Sequence, residues 1–76
     1  MIEIDEEVTK FIRDAFMCGF MRQENWEEWK ERDIKRLHHL PFTTLAAIRD
    51  NAQIAFMYGS TRNYVWSEEE GIKLPC

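Results

Sequence analysis

Punctuation is what this chain has least of. Three glycines and two prolines in 76 residues leave few sites for sharp turns, which disfavours many short strands and favours a few long helices. Two cysteines, Cys18 in an apolar segment and Cys76 at the last position, are too few for a disulfide framework. No Cys-x-x-Cys or His-x-x-x-His spacing occurs either, so no metal and no other cofactor is expected. His38 and His39 are adjacent, and neighbours on a helix point about 100° apart, which suits a helix end better than a shared ion. No uncharged run approaches the ~20 residues of a membrane span. The opening Met1-Ile2-Glu3-Ile4-Asp5-Glu6-Glu7 lacks the basic and apolar stretches of a secretory signal, so a cytoplasmic setting is expected. A glycine-rich phosphate loop is missing as well. Cys18 lies where burial would raise its pKa and blunt its reactivity, and the paired acids read as solvated helix starts. With no nucleophile beside a base, no catalytic residue is assigned and no enzyme is expected.

Apolar side chains are abundant. They make up 45% of the residues, ten of them aromatic, which is ample for one small folded domain and argues against disorder. Charge is uneven. Residues 1–31 carry nine acids against four bases, while residues 32–66 carry two acids against five bases. A net charge of −4 disfavours broad, charge-driven nucleic-acid binding, and the acidic half would draw a basic partner surface.

One line of the sequence is written twice. Ala15-Phe16-Met17-Cys18-Gly19 returns as Ala55-Phe56-Met57-Tyr58-Gly59, and Arg22, Trp26 and Glu28 return as Arg62, Trp66 and Glu68. An offset of 40 at this scale marks a supersecondary unit used twice. Small residues four apart, Ala15 with Gly19 and Ala55 with Gly59, let two helices approach closely. A crossing of the first and third helices about a pseudo-twofold is therefore expected.

Periodicity places three helices in a single domain over 1–76. Val8, Phe11, Ile12, Ala15 and Gly19 share one face of a helix over 5–21, with Asp5 as its cap. Asn25 and Glu28 form a capping-box-like start for a helix over 25–40, which Pro41 stops. Glu28 with Arg32 and Glu31 with Lys35 are spaced to lace its outer side. Asp33 falls within its apolar stripe, where it either lies at the rim or meets a base such as Arg13 or Arg49. A third helix over 42–58 opens with Thr43 as cap and stops at Gly59. Residues 60–76 read as an aromatic strap through Tyr64, Val65 and Trp66, followed by a tail. The fold class is all-α.

Apolar surface exceeds what three such helices can hide. Phe16, Met17, Phe20 and Met21 lie outside the first stripe, and Ala47, Ile54 and Tyr58 form a second face on the third helix, with Met57 near it. Met and aromatic residues of this kind compose interface centres. With Trp66 as an anchor, they predict a module that docks on a protein partner or on its own copy. The alternative is a helix-turn-helix regulator reading DNA through helix 42–58. Thr43, Thr44, Arg49 and Asn51 would face bases, and Lys35 and Arg36 phosphates. The break at Leu40-Pro41 lacks the usual glycine of such turns, and acids interleave the bases. In size, acidity and lack of catalytic residues the chain resembles small accessory proteins of phages and mobile elements, anti-CRISPR proteins among them. That resemblance implies an inhibitor of host machinery.

Overall fold

A computed structural model describes residues 2–75, with side chains from Glu6 to Pro75. Its elements run α1 (Ile2–Met21), α2 (Trp26–Asp33), a 3-10 turn (Ile34–Leu37), α3 (Phe42–Thr61), β1 (Val65–Ser67) and β2 (Gly71–Lys73). Among the described residues there are three helices and a two-stranded antiparallel sheet, so the all-α expectation holds for the body and not for the carboxy-terminal segment.

α1 begins at Ile2, ahead of the expected start at Asp5; the side chain of Asp5 lies outside the described residues, as does Cys76. Its end at Met21 matches the expectation. α2 begins behind Asn25, whose Oδ1 accepts from the Glu28 backbone N–H at 2.9 Å. This satisfies one of the orphan donors of the first turn. The helix does not stay regular to residue 40. It tightens after Asp33 into a 3-10 turn, in which residues three apart eclipse, so that Ile34 and buried Leu37 both face the core. α3 is preceded by Pro41 and not capped by Thr43; the Pro41 carbonyl accepts from Leu45 at 2.8 Å.

Gly59 does not stop α3. The helix continues to Thr61, and the left-handed residue is Arg62, at φ 61°. α1 closes the same way, on Arg22 at φ 56°. Each arginine N–H donates to a glycine carbonyl three residues back, Arg22 to Gly19 at 3.3 Å and Arg62 to Gly59 at 3.0 Å.

The expected strap and tail are replaced by a hairpin. Val65 pairs with Lys73, Trp66 with Ile72 and Ser67 with Gly71. Ser67 Oγ accepts from the N–H groups of Glu69 and Glu70 at 3.2 and 3.1 Å. Gly71 supplies the φ of +81° that closes a three-residue turn.

The core gathers Phe11, Ala15, Cys18, Trp29, Leu37, Ile48 and Ala52 from the three helices and the 3-10 turn. Phe11 and Trp29 meet at 4.9 Å between ring centroids. Fully burying a side chain such as Phe11 or Leu37 contributes about 1.5–3 kcal/mol, which makes this cluster the main source of stability.

Candidate functional site

The contact of α1 with α3 is set by two glycines. A Cβ on Gly19 would overlap the backbone carbonyl of Phe56, and a Cβ on Gly59 would overlap that of Phe16. Backbone therefore lies directly on backbone, in both directions. Each helix is then covered from outside by a tryptophan. Trp26 lies 5.7 Å from Phe56 and Trp66 lies 6.0 Å from Phe16. The capping arginines also reach across: Arg22 donates to the Ser60 carbonyl at 3.4 Å, and Arg62 lies 4.9 Å over the Phe20 ring.

This crossing decides which of the candidate interface residues reach solvent. Phe16, expected among the surface surplus, is 1% exposed and stacks on Phe20 at 6.0 Å. Phe20 and Trp66 are half-buried. Met21 (54%), Ile54 (51%), Met57 (61%) and Tyr58 (42%) are exposed, with Met17 at the margin. At about 100° per residue, Met17 and Met21 point away from the crossing on α1, and Ile54, Met57 and Tyr58 do so on α3. They form one patch on each helix. Tyr58 is partly sheltered by Tyr64, 4.8 Å away.

Beside the hairpin, Phe16, Met17, Phe20, Val65 and Trp66 line an open apolar groove of about 200 Å³. Trp66 Nε1 is buried there without a hydrogen-bond partner. On the α2 side a polar cleft of about 280 Å³ opens between Asp14, Gln23, Arg32, Asp33 and Arg36. Cys18 lies at its base, donating to the Glu24 carbonyl at 3.8 Å. Burial pushes its thiol pKa up, against the lowering effect of that hydrogen bond, so the group is a poor nucleophile.

Charged side chains form a chain across the surface. Glu24 pairs with Arg32 at 2.6 Å, Arg32 with Asp33 at 2.8 Å and Asp33 with Arg36 at 3.5 Å. Arg36 meets Asp14 at 3.0 Å, Asp14 meets Arg13 at 3.7 Å, and Arg13 meets Glu68 at 3.5 Å. Asp33 thus finds Arg32 and Arg36, not Arg13 or Arg49. Arg32, expected to pair with Glu28, turns to Glu24 instead, and the two carboxylates that hold it raise its pKa.

Of the residues considered for DNA, Lys35, Thr43, Thr44 and Asn51 are exposed. Arg36 is held by Asp14 and Asp33, and Arg49 lies 3.5 Å from Asp50. His39 Nε2 lies 3.0 Å from Glu7 Oε1, tying the link before α3 to α1. Among the described residues no group of three His, Cys, Asp or Glu side chains is placed to hold a metal, and no helix is long and apolar enough to cross a membrane.

Sequence reasoning missed the groove, because it read residues 71–76 as a tail. Three residues after Ser67 followed by Gly71 are a hairpin signal that could have found it. It also missed the capping role of Arg22 and Arg62, since glycine is the usual left-handed cap. Neither a family model, nor a curated protein, nor a solved structure matches this chain, so its function is argued from its own residues.

Proposed function

We propose that the protein is a small, non-catalytic interaction module that docks apolar Met and aromatic surface on a protein partner or on a second copy. The observation that carries this reading is the exposure of Ile54, Met57 and Tyr58 together on the outer face of α3. Large apolar side chains grouped this way mark interaction sites more often than chance exposure does, and Met with Tyr is the composition of an interface centre. Met21 and the groove beside the hairpin extend the reading to α1. An inhibitor of host machinery, the role implied by the resemblance to small phage accessory proteins, would act through such a surface.

The scaffold of this module is read as an internal repeat about a pseudo-twofold. Support comes from three contacts that recur with each residue moved by 40: Gly19 on Phe56 with Gly59 on Phe16, Trp26 on Phe56 with Trp66 on Phe16, and Arg22 on Ser60 with Arg62 on Phe20.

Sedimentation mass across a concentration series, with a pull-down from the native host, tests the function. Wild type should self-associate or capture a defined partner. Ile54→Asp should abolish this while shifting stability by no more than about 0.5 kcal/mol, as for an exposed site. A monomer that captures nothing, or capture indifferent to Ile54→Asp and Met57→Asp, removes the reading.

A further inference from the structure

The groove beside the hairpin is apolar along its floor and has a cation standing beside it. Phe16 forms the floor, with Met17, Phe20, Val65 and Trp66 around it. The Arg62 guanidinium lies over the Phe20 ring, with no carboxylate in ion-pair range among the described residues. Arg13, one turn before Phe16 on α1, is by contrast already matched by Glu68. Arg62 also holds a left-handed backbone, at φ 61°, where glycine would incur less strain. A cation at a helix carboxy-terminus recovers part of that cost. Its side chain stands over Phe20, which lines the groove, so its charge lies beside the groove and, among the described residues, meets only that ring. The Trp66 indole N–H, where the hairpin closes the groove, lacks an acceptor.

We propose that this groove receives an acidic amphipathic segment of a partner protein. One large apolar side chain fills the space between Val65 and Phe20, and a carboxylate beside it pairs with Arg62. A small shift of the hairpin lets a backbone carbonyl of the segment accept from Trp66 Nε1. Charge complementarity selects an acidic segment over a basic one, even though the whole chain is negative, because the Arg62 contact acts at short range within the Debye length. The inference rests on the docking reading above and names the chemistry of the partner.

The test is a display library of random dodecapeptides panned on the full chain, with Arg62→Glu and Val65→Asp chains as counter-selections and melting curves to establish that both fold. Met17→Asp replaces Val65→Asp if the latter unfolds. Enriched peptides should carry Leu, Phe or Trp within two positions of Asp or Glu. Binding should fall about tenfold or more on Arg62→Glu, since like charges then face each other. Replacing the peptide acid by Lys should restore binding to that variant. Enrichment of basic or uncharged peptides, binding that ignores both substitutions, or no enrichment at all overturns the proposal. Each of those results leaves the α3 patch to its own test with Ile54→Asp, so the two readings fail separately.

Discussion

The two outer covers of the helix crossing are built differently. On one flank Trp26 rests on Phe56 and is itself stacked on Trp29 at 5.8 Å, within a capped helix that feeds the core. On the other flank Trp66 rests on Phe16 from a strand of three residues, and its N–H lacks a partner. Cys18 beneath the first cover is buried, while Tyr58 beside the second is exposed. A helix brings neighbouring side chains every turn, and Trp26 shares its cover with Trp29. A short hairpin brings few, and leaves the apolar groove. Both indoles are half-buried, so the flanks differ in what supports each indole, a helix on one side and a three-residue strand on the other.

The crossing beneath both covers should give the largest effect. Gly19→Ala and Gly59→Ala each drive a methyl into a backbone carbonyl that cannot rotate away, so each should cost about 1–3 kcal/mol or more, read from urea midpoints. Because the clashes are reciprocal, the two losses should be similar. A harmless alanine at either site would show that the helices do not meet backbone to backbone. The covers themselves come next. Trp26→Ala should cost about 3 kcal/mol, toward the lower end for a large aromatic, and Trp66→Ala clearly less, because its removal also deletes an unsatisfied donor. Equal losses would erase the distinction between the flanks.

The smallest effect concerns Cys18 under the α2 cover. Folding raises its pKa, so the stability tied to the neutral thiol is complete below the ordinary thiol value of about 8.5 and declines as pH climbs above it. In a Cys76→Ser background, alkylation should be slow at neutral pH, and Cys18→Ala should flatten the alkaline fall in stability. Fast alkylation of the folded chain would mean that the α2 cover is as open as the hairpin side.

Much of this arrangement was legible in the residues, and the reasons are local. The stripe of Phe11, Ala15 and Gly19 and the Asn25 cap each depend on neighbours within a turn or two. Ala15 and Gly19, echoed by Ala55 and Gly59, pointed to close approach of α1 and α3. What was not legible depends on tertiary geometry. Phe16 has the same periodicity as Phe20, and only the returning hairpin decides that one is buried and the other half-covered. Asp33 was open to the rim or to a distant base such as Arg13 or Arg49, yet it pairs within its own segment, with Arg36 three residues on. Gly59 looked like a helix stop because glycine suits that role. Its lack of a side chain is used instead to admit a neighbouring carbonyl.

The hairpin turn is joined to the helices through Arg13 and Glu68, at the far end of a line of charges that starts at Glu24. Two strands of three residues have little hold on order by themselves. Their resting place is borrowed from Phe16 and from that exposed ion pair, which dissolved salt weakens. Ionic strength therefore acts on the last quarter of the chain before it acts on the helices. Anything lodged beside Val65 and Trp66 would do the reverse, fastening the sheet against the body and making the chain's end the part of the molecule that registers occupancy.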